Sequence, residues 1–260
     1  MTVHSGEELS AMKIVIITAM PEEFRAVVIS LKASGAAQIG TEQAGRFRSA
    51  TQEFLLVESG MGFSNAARTT KMLIDTERPD LLISAGFCGG IAPELQAGDV
   101  VVAEKVVIVS DGGCQEVSVQ LSSIGAAFIA RQSAEGRGVV GGAFVSTSAI
   151  TSKSHLAGVL SGNYTNPVVE MESGAIAVAA AENNIPLLAI RTVSDSAAEE
   201  LGFSLDDFCD AEMLRIRPIK VLFTILRKPW IIPQLVRLAR SSRTAAENLT
   251  TALSRLFPTL

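Results

Sequence analysis

The sequence is poor in the residues that build disulfide frameworks, metal clusters and histidine-based catalytic sites. It holds three cysteines and two histidines in 260 residues. Cys88, Cys114 and Cys209 are scattered and odd in number, which favours a reduced intracellular protein over a disulfide scaffold. They form no CxxC or His/Cys cluster typical of a metal site. We therefore expect no metal and no cofactor, and catalysis has to rely on groups other than histidine.

Long apolar runs and excess positive charge are also missing. No uncharged run reaches the roughly 18 residues that span a bilayer. The first twelve residues contain acids and no apolar core, unlike a signal peptide. A net charge of −5 makes nucleic acid an unfavourable partner. We predict a cytoplasmic protein whose apolar content of 48% supplies a sizeable core.

Strand-like and helix-like segments alternate along the chain. The apolar run from Lys13 to Ala19 is followed by Pro21 and two acids, a pattern that favours a helix start. Later apolar runs end in glycine-rich or polar turns, and no Pro/Ser-rich linker separates them. The sequence therefore predicts an α/β fold, a single-domain αβα sandwich with a twisted, mostly parallel central sheet. We assign residues 1–12 to a leader and residues 13–260 to this domain.

The stretch from residue 168 to residue 197 brings polar side chains to the ends of strands. SGAIAVAAAE has no wide polar face and predicts a mostly buried helix, and LLAIRTV suits an interior parallel strand. Glu170 and Glu172 precede the helix, whereas Ser194 and Asp195 follow the strand. Ligands of open α/β sheets bind at such carboxyl ends. The alternative is that the carboxylates only cap helices or pair with Arg191.

Five motifs occur together in one order: ITAMPEE, SGMGFSNAA, SAGFCGGIAPELQAGDVVVAE, VEMESGAIA and RTVSDSA. Together they resemble the purine nucleoside phosphorylase and uridine phosphorylase superfamily, and most closely its methylthioadenosine/S-adenosylhomocysteine nucleosidase branch. The resemblance covers about residues 13–208. It implies a nucleoside phosphorylase-like fold, a homodimer, and an enzyme that hydrolyses the N-glycosidic bond of a 5′-substituted adenosine-type nucleoside to release adenine.

The resemblance also assigns roles to residues. Asp195 matches the general acid that protonates the purine, Glu23 the base that activates water, and Glu172 the carboxylate that holds the ribose hydroxyls. An adenine anion leaves poorly, so an acid is needed. Asp195 must then hold a proton near neutral pH through burial or nearby carboxylates, while Glu23 stays ionised. The other positions expected to contact substrate are Ala19, Met61, Gly62, Phe87, Gly89, Ile150, Thr151, Glu170, Met171 and Ser194.

Three features bear on which reaction the site performs. Glu22 and Glu23 would repel a phosphate and suit a water, which favours hydrolysis over phosphorolysis, although Arg25 and Arg68 are the cations that would overturn this choice. Phe87 replaces a small residue of the family's GSAGG turn. Ile150 stands where the nucleosidases carry a purine-stacking aromatic. These differences argue against methylthioadenosine itself, and Phe87 is a candidate to stack on the base instead.

Residues 213–246 form a basic segment, and about residues 211–241 are an insertion relative to the family. The segment contains no acid and eight bases: Arg215, Arg217, Lys220, Arg227, Lys228, Arg237, Arg240 and Arg243. Interleaved with apolar residues, it suggests either peripheral contact with an anionic membrane or helices that cover the sheet or a dimer interface. As a lid it would admit an apolar 5′-substituent, as expected for a nucleosidase of the hopanoid-associated type acting on a lipid-linked adenosyl substrate.

Three further interpretations stay open. The first is a nucleoside phosphorylase, which would require phosphate for turnover. The second is a nucleoside sensor with an inactive site, which the presence of both Glu23 and Asp195 disfavours. The third is a scaffold attached to the membrane by its basic segment.

Overall fold

The computed structural model describes residues 11–39, 45–110, 113–136, 138–149, 151–160, 162–199 and 232–260. The predicted leader, except for its last two residues, lies outside the described residues. So do Ile150 and the part of the predicted insertion that precedes residue 232.

In the described residues the chain forms ten strands and six helices. The strands are β1 (Met12–Thr18), β2 (Ala37–Ile39), β3 (Arg46–Arg48), β4 (Gln52–Glu58), β5 (Leu81–Gly90), β6 (Val100–Ser110), β7 (Gly113–Glu116), β8 (Val139–Thr147), β9 (Val168–Glu170) and β10 (Leu187–Asp195). The helices are α1 (Pro21–Ala33), α2 (Phe63–Glu77), α3 (Ser123–Ala134), α4 (Lys153–Val159), α5 (Ser173–Glu182) and α6 (Ile232–Leu256), which a 3-10 turn (Phe257–Thr259) follows.

All ten strands belong to one sheet, in the order β10-β6-β8-β9-β5-β1-β4-β3-β2 with β7 beside β6. Its three longest ladders, β6–β8, β5–β10 and β1–β4, are parallel. The predicted α/β fold with a mostly parallel central sheet is confirmed.

The sheet also curls back on itself, which the sequence did not indicate. β10 pairs with β5 in parallel and with β6 in antiparallel fashion, and β9 joins β8 to β5. Strands β5, β10, β6, β8 and β9 therefore close into a ring. A buried strand has the same apolar pattern whichever way its neighbour runs, so the sequence could not reveal this closure.

Helices cover the sheet on two faces. One apolar cluster packs α1, α3 and α6 against residues such as Ile83 and Ile190. A second cluster packs α2 and α5 against residues such as Leu82 and Ala189. Because neighbouring residues of a strand point to opposite faces, β5 and β10 serve both clusters and are buried along nearly their whole length.

The C-terminal helix α6 is an integral part of the first layer. Its apolar face is buried from Ala245 onward, and the Asn248 side-chain amide donates to the Gly98 carbonyl at 2.8 Å. The arginines of the basic segment that fall on this helix, Arg237, Arg240 and Arg243, are exposed. Within the described ranges, none of the helices has both the length and the apolar character that crossing a bilayer demands.

Candidate active site

The site lies where the parallel strands β1, β4, β5 and β10 end side by side. Ala19 follows β1, Gly62 follows β4, and Asp195 is the last residue of β10. Proline at the first position of α1 starts that helix immediately after β1. This places Glu23, in the first turn, against the same edge of the sheet. The carboxyl-end location expected from the sequence is therefore what the fold produces for these residues.

Arg191 is the centre of the polar cluster. It is 1% exposed and follows the apolar residues LLAI in strand β10. Its Nη2 lies within hydrogen-bonding distance of four oxygens: Glu170 Oε2 (2.8 Å), Ser84 Oγ (3.2 Å), Ser173 Oγ (3.3 Å) and Glu172 Oε2 (3.4 Å). Its Nε and Nη1 find no acceptor among the described residues. A buried guanidinium with two unpaired donor groups is suited to bind a polar ligand.

Glu23 is buried at 1% exposure and is held by three backbone amides. Its Oε2 accepts from Ala19 N at 2.7 Å and Met20 N at 3.0 Å, and its Oε1 accepts from Phe87 N at 2.7 Å. Burial raises the pKa of Glu23, while Arg191 and the three amides oppose the rise. Its Oε1 lies 3.8 Å from Arg191 Nη1.

Glu172 joins the start of α2 to the cluster. Its Oε1 accepts from Gly62 N at 2.7 Å, and Gly62 adopts a φ of 95° that favours glycine. Burial raises the pKa of Glu172 to about 7; Arg191 opposes the rise, and the charges of Glu170 and Glu23 add to it. Oε2 has one long contact, to Arg191 Nη2 at 3.4 Å. Glu172 thus keeps acceptor capacity.

Glu170 accepts four hydrogen bonds from protein groups, more than Glu172 does. Its Oε2 accepts from the backbone amides of Glu172 (3.0 Å) and Ser173 (2.7 Å) as well as from Arg191. Its Oε1 accepts from Ser146 Oγ, which in turn accepts from Gly174 N at 2.6 Å. Glu170 therefore anchors Arg191 to the start of α5.

Asp195 carries an unexpected neighbour. The sequence led us to expect burial or nearby carboxylates around it, but the ammonium of Lys153 contacts its Oδ2, and its side chain is 20% exposed. Its Oδ1 lies 2.5 Å from Ser194 Oγ, which is also 3.1 Å from the Cys88 carbonyl oxygen. The expectation about the surroundings of Asp195 is corrected: its nearest charged group is a cation.

The remaining predicted substrate contacts lie at different places around the cluster. A Cβ at Gly89 would lie 3.1 Å from Asp195 Oδ2, so this glycine borders the acid. Met61 and Met171 are half-buried beside Gly62 and Glu172. The Thr151 hydroxyl donates to the Ala149 carbonyl at 3.1 Å.

The side chain of Phe87 packs in the apolar cluster under α1 and α6. Gly86, its neighbour in β5, faces Arg191 and Glu23. Because alternate residues of a strand face opposite sides, the Phe87 ring points away from the cluster of carboxylates. What Phe87 gives the site is its backbone amide.

Sequence reasoning missed Lys153, Ser84 and Ser146. The two serines lie inside strands where nothing distinguishes them from neighbouring small residues. Lys153 stands in the polar stretch TSKSH, which looks like an ordinary surface turn. Arg191 does give a signal, because it is the single charge in the apolar run LLAIRTV, although that signal predicts only a partner for the carboxylates.

The chain also matches a known protein family. The model of the phosphorylase superfamily matches residues 13–217. The chain belongs to the phosphorylase superfamily. Among its curated relatives are the 5′-methylthioadenosine/S-adenosylhomocysteine nucleosidases of Geobacillus kaustophilus (29% identical over 221 residues, 76% of this chain and 91% of the relative) and Bacillus thuringiensis (28% over 217 residues, 78% and 94%).

Solved structures of similar fold include the S-adenosylhomocysteine nucleosidase of Streptococcus pyogenes in complex with 5-methylthiotubericidin. Its TM-score is 0.68 at 21% identity, covering 97% of this chain and 99% of that one. The Helicobacter pylori 5′-methylthioadenosine/S-adenosylhomocysteine nucleosidase gives 0.64 at 18% identity, covering 95% and 99%. The predicted superfamily, with nucleosidases among its near relatives, and the predicted class of protein, an enzyme of the nucleosidase type, are confirmed.

Proposed function

We propose that this enzyme hydrolyses the N-glycosidic bond of a 5′-substituted adenosine-type nucleoside and releases adenine. The observation that carries the proposal is that Glu23 lies beside Arg191 Nη1, which makes no hydrogen bond within the protein, and that Asp195 ends the same strand, β10, that carries Arg191. The curated relatives are nucleosidases that act on methylthioadenosine and S-adenosylhomocysteine.

Glu23 and Arg191 supply a place for the attacking water. Glu23 Oε1 and Arg191 Nη1 are 3.8 Å apart. A water there accepts from the guanidinium and donates to the carboxylate, which takes its proton as the water oxygen adds to the anomeric carbon. The three amides that hold Glu23 fix the direction of its remaining lone pair.

Glu172 is assigned to the ribose hydroxyls because its Oε2 retains acceptor capacity. Met171 and Met61 supply apolar contact beside the sugar. Glu170 takes a supporting part, since its hydrogen bonds are already made within the protein. It positions Arg191 and the start of α5.

Asp195 is assigned to the proton that the purine needs as it leaves. The base then lies at the end of β5 and β10, bordered by Gly89 and Ser194. Phe87 is not assigned to stack on the base, because its ring packs in the apolar cluster under α1 and α6. Its backbone amide orients Glu23 instead.

The distribution of cations favours hydrolysis over phosphorolysis. Arg25 and Arg68 are both exposed, and Arg68 donates to Asn65 at 3.1 Å. The two buried cations of the site, Arg191 and Lys153, face four carboxylates: Arg191 faces Glu23, Glu170 and Glu172, and Lys153 contacts Asp195. The excess of negative charge in this cluster would repel a phosphate, whereas it would not repel a neutral water.

The proposal includes a homodimer, as the family resemblance implies, a cytoplasmic location, as the composition predicts, and peripheral membrane contact through residues 213–246. Sedimentation equilibrium measures the first. Liposome partitioning of the full chain and of a chain lacking residues 213–240 measures the second: loss of binding on deletion supports it, and unchanged partitioning refutes it.

The decisive experiment measures base release from 5′-substituted adenosines, with and without phosphate, by wild type and Asp195→Asn. We expect adenine and free ribose product without phosphate, and a loss of about 100-fold or more in the variant. Release that requires phosphate and yields ribose 1-phosphate would make the protein a phosphorylase. If no soluble nucleoside reacts, the lipid-linked adenosyl substrate becomes the candidate to test.

A further inference from the structure

Lys153 is a buried lysine that the reaction described so far does not use. It is 8% exposed, and it is the first residue of α4. Its Nζ contacts Asp195 Oδ2 and lies near three carbonyl oxygens: Ser196 (2.6 Å), Asp195 (3.2 Å) and Glu199 (3.2 Å). The ammonium is thus fully surrounded by acceptors.

This placement is unfavourable unless the ammonium has a partner. Burial disfavours a charged amine, and the first turn of a helix disfavours positive charge. The carboxylate and the carbonyls offset both costs by favouring the protonated amine. The contact therefore places an N–H donor of Lys153 directly against the Asp195 carboxylate.

Gly89 makes the contact sterically feasible. A Cβ at this position would lie 2.9 Å from Lys153 Cε and 3.1 Å from Asp195 Oδ2. The lysine stem passes over the bare backbone of β5 to reach the end of β10. The pair thus depends on a glycine at the strand end where the base is expected.

A carboxylate that accepts a hydrogen bond from an ammonium needs a source for any proton that it gives to a purine. We infer that Lys153 supplies it, through Asp195, when the glycosidic bond breaks. This inference rests on the proposed function. A Lys153 Nζ–H bond breaks and its proton passes to the Asp195 carboxylate, which delivers it to the purine. The electron pair of the C–N bond moves onto the purine. Lys153 is left as a neutral amine and is reprotonated from solvent.

Two substrates separate this role from a purely structural one. A 5′-substituted adenosine needs the proton, whereas a p-nitrophenyl riboside releases a stable anion and does not. We expect Lys153→Met to lose about 100-fold or more in kcat/KM on the adenosine and less than about threefold on the nitrophenyl riboside. Circular dichroism and thermal unfolding verify that the variant is folded.

Lys153→Arg is the matched variant, since arginine keeps the positive charge but does not give up a proton in proteins. We expect it to behave like Lys153→Met on the adenosine. Equal losses on both substrates, or full activity of Lys153→Arg on the adenosine, would make Lys153 a structural or electrostatic support and overturn the inference. A wild type inactive on every adenosine would overturn the proposed function and this inference with it.

Discussion

Gly86 lies directly against the guanidinium of Arg191. A Cβ added at residue 86 would sit 2.1 Å from Arg191 Nη1 and 2.4 Å from Glu23 Oε1. The two groups proposed to hold the water therefore meet over a residue without a side chain. The close approach of Arg191 to Glu23 is possible only because β5 carries glycine at this point.

We expect Gly86→Ala to push Arg191 away from Glu23. Overpacking of this kind costs about 1–3 kcal/mol of stability, and misplacement of the water site costs about 100-fold in kcat. Thermal unfolding and adenine release measure the two effects. Gly158→Ala is the control, because nothing lies within 4 Å of a Cβ there. Equal behaviour of the two variants would contradict the arrangement described here.

Glu172 makes folding stability depend on pH. Its pKa is about 7 in the folded protein and 4.5 for an ordinary glutamate. The native state therefore favours protonated Glu172, so its contribution is complete below pH 4.5 and is lost as pH rises to about 7. The whole change is on the order of 3 kcal/mol.

We therefore expect Glu172→Gln to gain stability relative to wild type as pH rises from about 4.5 to 7. Urea unfolding at several pH values measures the difference. Glu182→Gln, at the exposed end of α5, is the control that removes a carboxylate outside the cluster. A constant difference between Glu172→Gln and wild type across this range would show that Glu172 does not have the raised pKa.

The acidic limb of the pH–activity profile should depend on the carboxylates of the same cluster. Burial raises the pKa of both Glu23 and Glu172, and the charge of Glu23 favours the protonated form of Glu172. Because both act as carboxylates, kcat/KM should rise with pH up to about 7. In Glu172→Gln the acidic limb of the residual activity profile should shift to lower pH, because the variant lacks a carboxylate that repels Glu23. A pH profile of adenine release checks both statements.

Arg191→Met should leave three buried carboxylates without their cation. Removal of one partner from a buried ion pair costs about 3–5 kcal/mol. The loss should be larger at pH 8 than at pH 5, because protonation relieves the repulsion. Arg243→Met removes an exposed i,i+4 pair with Glu247 and should cost about 0.5 kcal/mol or less. Similar losses in the two variants would refute the central position of Arg191.

Helix α6 should contribute to the core as much as a central element. Leu253 is fully buried, and its replacement by alanine should cost about 2–5 kcal/mol. Met72→Ala is the control on α2, since Met72 is 53% exposed. Guanidinium unfolding measures both. A loss below 1 kcal/mol for Leu253→Ala would mean that the packing of α6 contributes little to the free energy of unfolding of the domain.

Much of the site follows from local sequence patterns. Pro21 and the acids after it fix the start of α1, and this alone brings Glu23 to the end of β1. The apolar runs around Glu170 and Asp195 fix where those carboxylates emerge. The sequence left open whether the carboxylates pair with Arg191 or form a site. The structure shows that Glu23, Glu170 and Glu172 form ion pairs with Arg191. Because Nη1 makes no hydrogen bond within the protein, the same groups can also take part in a ligand site.

Other features depend on distances that no local pattern encodes. Lys153 meets Asp195 only because α4 starts above the bare backbone of Gly89, across 42 residues of sequence. The orientation of Phe87 also depends on how β5 packs in the folded protein. Alternation along β5 puts residues 86 and 87 on opposite faces, but apolar clusters cover both faces, so a period of two does not tell which face the ring joins.

The ring of strands has a consequence for the synthesis of the protein. β10 fills the gap between β5 and β6, yet it comes after both and after β8 and β9 in the chain. A nascent chain that ends before residue 187 exposes strand edges on β5 and β6 that have no partner. Such edges pair readily with other chains. The catalytic centre is thus among the last parts of the molecule to assemble, and premature termination should yield an aggregating fragment in place of a weakened enzyme.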